Sequence, residues 1–180
     1  LLAWVQKKKI MLKIMIITST HNTILFFTNK GLVYQLKGYE IPESGRTAKG
    51  TAIVNLLPLA KEETITAIIP IKEFSKDRYL FMATRHGIVK KTGLSEFDTN
   101  RKKTGLIALS LKENDELIGV KLTDGNRQII IGTRDGMSIC FNEQDVRPMG
   151  RTARGVIGIK LKGEDTDNWH GQYPWMIAKS

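Results

Sequence analysis

A chain of 180 residues is long enough for one domain with a substantial core or for a piece of a larger repeat assembly, and 41% hydrophobic residues exclude wholesale disorder. Its 28 Lys+Arg against 18 Asp+Glu give a net charge of +10, which points to a polyanionic partner, nucleic acid ahead of an acidic membrane surface. A single cysteine, Cys140, excludes an intrachain disulfide and a cysteine-cluster metal site.

Residues 1–17 are basic and apolar, but they lack the uninterrupted apolar run and cleavage site of a targeting segment. Nowhere does the chain approach the ~20 consecutive apolar residues of a membrane span. We therefore expect a cytoplasmic protein with no membrane partner.

From Ile24 onward the chain repeats itself. The first unit opens with an apolar run, a Thr-x-x-Gly turn at Thr28 to Gly31, and a second run through Tyr34. A basic loop, Gly45-Arg-Thr-Ala-Lys-Gly50, leads into the short apolar segment Ala52 to Val54, and Ile65 to Ile71 closes the unit. The second unit restarts at Tyr79, turns at Thr84 to Gly87, and carries the basic loop Asn100-Arg-Lys-Lys-Thr-Gly105. Leu106 to Leu109 and Glu116 to Leu122 follow as strands. The third restarts at Gln128, turns at Thr133 to Gly136, and repeats the loop as Gly150-Arg-Thr-Ala-Arg-Gly155 before Val156 to Ile159.

The three turn glycines stand 56 and 49 residues apart. β-Branched and aromatic runs on both sides of such a turn predict a hairpin whose glycine has positive φ. Four short strands in each ~50-residue unit, without an amphipathic helix, predict an all-β fold of propeller-type blades. We expect about three four-stranded blades, spanning 24–71, 79–122 and 128–166, plus part of a neighbour. Parallel βαβ units are ruled out because no connection holds a helical stretch. The strands should pair antiparallel, and the blades should form an open arc.

One basic loop is usually a solvated turn; three at the same place in successive repeats make a charged stripe. The candidate DNA-binding residues are Arg46, Lys49, Arg101, Lys102, Lys103, Arg151 and Arg154. Other chemistry finds little support. His21, His86 and His170 are scattered, so no metal ligand set forms. Glu62, Glu63, Glu113, Asp115 and Glu116 read as solvated turn residues, and Cys140, flanked by apolar residues, as a buried structural thiol. Tyr34, Tyr39 and Tyr79 read as packing residues. With no Gly-x-x-x-x-Gly-Lys-Ser/Thr loop, nucleotide hydrolysis belongs elsewhere.

These segments resemble the C-terminal β-pinwheel domain from the gyrase A polypeptide of bacterial DNA gyrase and, less closely, that of topoisomerase IV. The resemblance is carried by Leu25 to Gly31, Gly38 to Gly50, Gly105 to Leu109, Asp124-Gly125 and Asp145 to Gly155, and it covers about Ile16 to Asp165. It implies a wheel of about six blades, a strand exchanged between neighbours, and duplex DNA bent around the basic rim without sequence specificity. It further implies an A2B2 complex with gyrase B, no catalytic residue or cofactor in this chain, and ATP and magnesium used elsewhere in the holoenzyme. The family's Gln-Arg-Arg-Gly-Gly-Lys/Arg-Gly box is missing here, and Tyr173 and the other tyrosines lack the motif of the cleavage tyrosine. A topoisomerase IV pinwheel and a propeller-like protein-interaction scaffold stand as the alternatives.

The repeat logic fails at both flanks, 1–17 and 167–180. Possible codons for Asp167 to Tyr173, read one base later, spell Ile-Ile-Gly-Met-Asp-Asn and restore the repeat. Possible codons for Ala3 to Met11, read two bases later, spell an acidic lead-in similar to the family's. Both flanks are thus expected to be frame-shifted. Lys7, Lys8, Lys9 and Lys13 then account for four of the ten net charges, and the DNA-binding inference rests on the remaining six.

Overall fold

The computed structural model describes residues 16–45, 47–48, 50–99, 104–133, 136–161 and, as backbone, 176–179. In chain order the strands are β1 (Thr23–Thr28), β2 (Leu32–Lys37), β3 (Ile65–Ile71), β4 (Tyr79–Thr84), β5 (Ile88–Gly93), β6 (Leu106–Ile107), β7 (Leu117–Thr123), β8 (Gln128–Gly132), β9 (Ser138–Asn142), β10 (Val156–Ile157) and β11 (Met176–Lys179). Each expected hairpin is present: β1 with β2, β4 with β5, β8 with β9, all antiparallel. The turns close alike, the N–H of Gly31, Gly87 and Gly136 donating to the carbonyl of Thr28, Thr84 and Thr133 at 3.0, 3.1 and 3.3 Å.

The sheets have the orders β3-β1-β2-β6, β10-β5-β4-β7 and β11-β8-β9. Two of them take their fourth strand from the following unit. Leu106 and Ile107 of unit two lie opposite Val33 and Leu32 of unit one, and Val156 and Ile157 of unit three lie opposite Val89 and Ile88 of unit two. The exchange that the family resemblance implied is therefore present in both.

Gly31 and Gly87 serve this exchange as well as the turn. Their φ angles are +73° and +78°, a region that costs an L-residue about 1–2 kcal/mol. The Gly31 carbonyl also accepts from the N–H groups of Ala108 and Leu109, and that of Gly87 from Gly158 and Ile159. A Cβ at Gly31 would stand 2.5 Å from the Leu109 carbonyl oxygen. Only a bare α-carbon lets the incoming strand approach this closely.

Where the exchange is missing, the pattern departs from expectation. Ala52 to Val54 do not form a strand; Ile53–Asn55 is a 3₁₀ turn with Val54 exposed. Among the described residues no earlier hairpin offers this segment an edge. Among the described residues the third sheet has three strands, and β9 pairs with β8 alone. Its outer residues Met137, Ile139 and Cys140 are consequently exposed. Cys140 is thus not the buried thiol its apolar flanks suggest.

The central strands are buried on both faces, every residue of β1 being buried. Leu25 and Phe27 join Leu80, Met82, Phe97 and Leu117 in a core between the first two sheets, and the opposite face, Ile24 and Phe26, packs with Tyr34, Leu36 and Leu57. Phe81, Ala83, Val89, Ile129 and Ile131 form the core between the second and third sheets. At roughly 25 cal/mol per Å² of apolar surface, these shared cores are the main attraction between neighbouring sheets. β3 packs beside β7, and β7 beside β11. The exchanged strands β6 and β10 lie at the opposite edge of their sheets, and each is immediately preceded by a basic loop.

Candidate nucleic-acid interface

Of the seven candidate cations, Arg46, Lys49, Arg101, Lys102 and Lys103 lie outside the described residues. Arg151 and Arg154 are described, Arg151 half-buried and Arg154 exposed, on the loop that feeds β10. That loop is ordered by its own backbone: the Ala153 N–H donates to Gly150 at 3.1 Å, as Ala48 does to Gly45 at 2.9 Å in the first basic loop. The same sequence pattern therefore makes the same turn in units one and three.

The third loop is also held from outside. Lys90, on β5 of the preceding unit, is fully buried, and its Nζ donates to the carbonyls of Ala108, Arg151 and Ala153, the first at 2.7 Å and the last at 3.2 Å. Burial pushes its ammonium down to about 8, with Arg151 adding to the depression and Glu96 opposing it. Ser110 contributes a second tie, its hydroxyl donating to the Thr152 carbonyl at 2.7 Å. One residue on, Lys91 Nζ donates to the Glu143 carbonyl at 2.9 Å and sits 5.3 Å from the Tyr79 ring centroid. Burial lowers this ammonium too, and Glu143 opposes the shift.

The positions repeat between units. Gln35, in the place of Lys91, donates to the Phe97 carbonyl at 2.7 Å, so both side chains bind a 3₁₀ turn of the following unit. Tyr34, in the place of Lys90, lies against Gly105 at the end of the second basic loop.

Arg154 and Lys112 border a cavity of about 250 Å³ beside β10, with Ser110 and Asp115 on its wall. Lys112 was missed as a candidate, although Leu111-Lys112 recurs as Leu161-Lys162 at the same distance beyond the second and third basic loops. Lys90 offered no such signal, since a lysine on a strand ordinarily points to water. Arg127 is an ion-pair partner, 2.8 Å from Asp124. The Asp124 carboxyl is lowered chiefly by the Asn126 N–H and further by Arg127.

Two acidic residues are not the solvated turn groups expected. Glu63 is buried and accepts from the Tyr34 hydroxyl at 3.2 Å and the Ala60 N–H at 2.9 Å. Asp115 is buried and accepts from the N–H groups of His86 and Glu116 at 3.0 and 2.9 Å. Each accepts from backbone donors at a turn. Tyr39, expected to pack, is exposed. Among the described residues no cluster of His, Cys, Asp and Glu could hold a metal ion, and no helix is long and apolar enough to cross a membrane.

The family model described as "DNA gyrase C-terminal domain, beta-propeller" matches residues 22–72, 78–124 and 127–166. The gyrase A polypeptide of Halalkalibacterium halodurans DNA gyrase is 61% identical over 142 residues, covering 79% of this chain and 17% of that protein. The chain thus spans about one sixth of the length of that relative. A crystal structure of the C-terminal domain of DNA topoisomerase IV superimposes with a TM-score of 0.76 at 34% identity, covering 81% of this chain and 45% of the other. A structure of a DNA gyrase A C-terminal domain does so with a TM-score of 0.65 at 27% identity, covering 82% and 46%. Three consecutive units, the strands passed between them and the family match over all three place this chain in the DNA gyrase C-terminal domain, β-propeller family.

Proposed function

We propose that this chain binds duplex DNA without sequence specificity and holds it on a bent path, as a wrapping element of gyrase A. The observation that carries this reading is positional: a basic loop precedes the exchanged strand, at the same edge of successive sheets. Arginine and lysine there meet phosphates, which position DNA but carry no base code. Bending a short duplex costs a few kcal/mol, so contacts along the edge must act together. Gyrase B, ATP and magnesium belong to the rest of an A2B2 enzyme, and no catalytic centre lies in this chain. The wrapped DNA would present a crossing to the cleavage core and so support negative supercoiling. Identity of 61% over 142 residues to a gyrase A polypeptide favours gyrase.

A salt titration of duplex binding tests this. With about five phosphate contacts, log affinity against log salt should have a slope near −4 to −5. The Arg46→Ala/Lys49→Ala and Arg151→Ala/Arg154→Ala variants should each flatten it by about 1–2, equally for unrelated DNA sequences. Glu62→Gln is the control expected to leave binding intact; Glu63, being buried against Tyr34, is unsuitable for that purpose. An unchanged slope in both arginine and lysine variants would leave the edge without DNA and favour a protein-binding scaffold.

A further inference from the structure

We propose that Lys90, which no solvent or DNA can reach, is a positioning residue for phosphate recognition, holding the Gly150 to Gly155 loop so that Arg151 and Arg154 face the duplex. The inference rests on the DNA-binding reading above and assigns the loop's geometry to a side chain of a different unit.

Three features carry it. The side chain is fully buried at the junction of two units, so it makes no contact of its own with a ligand. All three donors of an ammonium find backbone acceptors: one carbonyl beyond the exchanged strand β6, at Ala108, and two in the basic loop, at Arg151 and Ala153. Those two carbonyls lie within the Gly150 to Ala153 turn, and one belongs to the arginine whose side chain is in play. An apolar core residue would pack in the same space, leave the Ala108 and Arg151 carbonyls without this donor, and leave Ala153 with the Ser110 N–H alone at 3.3 Å. A buried charge of this kind is weak evidence for stability, and geometry is its better-attested use.

The charged groups acting on the ammonium are Arg151, which repels it, and Glu96, which attracts it. Lys91, beside it in sequence, is engaged with Glu143. Lys90 titrates near 8, within a range where DNA binding can be measured. Loss of its proton removes one donor and the charge, and the loop loosens.

The test uses the 180-residue chain with fluorescent duplexes of two unrelated sequences, titrated between about 50 and about 200 mM salt. The variants are Lys90→Met, Lys90→Gln, Arg151→Ala/Arg154→Ala, and the triple combination, each checked for folding by circular dichroism. We expect Lys90→Met to lose about tenfold in affinity and to flatten the salt slope by about 1–2, matching the arginine pair. Adding it to the arginine pair should cause no further loss, since the residue acts through those side chains. The ratio of parent to Lys90→Met affinity should shrink between about pH 7 and about pH 9. Should Lys90→Met fail to fold, Lys90→Gln, which keeps an N–H donor, is read by the same criteria, with a smaller loss expected. Parent-like affinity and slope in a folded Lys90 variant overturns the proposal, as does an affinity ratio flat with pH. If the arginine pair itself binds like the parent, the DNA reading of this loop fails first and the positioning role falls with it.

Discussion

The carbonyl oxygen of Ile159 occupies the space where a side chain at Gly87 would begin. Gly87 is thus the docking point for the third unit's strand, and Gly31 plays the same part for the second. Gly136 has the same φ region, +81°, but nothing within 4 Å of its missing Cβ. Gly136→Ala should therefore cost only the backbone strain, about 1–2 kcal/mol. Gly87→Ala should cost about 3 kcal/mol or more, because the exchanged strand must also withdraw. Urea unfolding of the two variants checks the difference; equal losses would mean that the close approach has no energetic weight.

Lys90 makes stability depend on pH in an unusual direction. Its value falls from 10.5 to about 8 on folding, so between those limits the unfolded chain binds more protons. Stability contributed by this group therefore rises with pH across about 8 to 10.5, with a slope of at most about 1.4 kcal/mol per unit. Below about 8 both states are protonated and the full burial cost is present. The stability of the parent relative to Lys90→Met should accordingly increase across that window. Chemical denaturation at a series of pH values gives the answer, and a decrease would reverse the assignment.

Tyr34 behaves in the opposite sense. Burial raises its hydroxyl from 10.0 to about 12, with Glu63 adding charge repulsion and a hydrogen bond to the neutral form. The folded chain therefore holds this proton longer, and its contribution is present below pH 10 and lost as pH rises to about 12. Tyr34→Phe should remove about 1 kcal/mol at neutral pH and reduce the loss of stability above pH 10. A variant whose alkaline unfolding matches the parent's would show that another group controls it.

Cys140 should react with a thiol reagent in the native chain at nearly the rate of an unfolded control, because it is exposed. Its nearest partner is the Gln128 side-chain oxygen, 3.7 Å from Sγ. Protection by more than about tenfold would contradict its exposure.

The flanks are tested at the level of the gene. Resequencing the locus should show a continuous frame in which the repeat proceeds beyond Thr166 without the present 167–180 reading. A frame that spells the present flanks would remove the frame-shift proposal.

Most of the blade architecture was legible because it rests on local signals: apolar runs, turn glycines and basic loops recurring in step. Burial was not, because it depends on which distant strand covers which edge. Ile107 meets Leu32 across 75 residues of sequence, and nothing in either segment alone reveals the pairing. The same gap explains why Lys90 and Lys91, on an apparently solvated strand, are buried, and why Cys140, on an apparently apolar one, is exposed. Glu63 and Asp115 depart from expectation for a related reason: turn carboxylates look alike in sequence whether they face water or fold back, buried, onto turn N–H groups. For the proposed DNA edge, the motif points to Arg151 and Arg154, and the lysine bonded to the carbonyls of their loop belongs to the preceding unit.

Because β6 and β10 are encoded by one unit and completed in another's sheet, heredity and folding count this molecule in different periods. A duplication that copies one sequence repeat supplies the closing strand for its predecessor and creates a new open edge for its successor. An insertion at a repeat boundary, between β3 and β4, would separate β6 from the rest of the first sheet, and one placed after β6 would fall between β5 and β7 of the second. Neighbouring sheets therefore overlap along the chain, the first running from Thr23 to Ile107 and the second from Tyr79 to Ile157, and no single cut between strands parts one from the next.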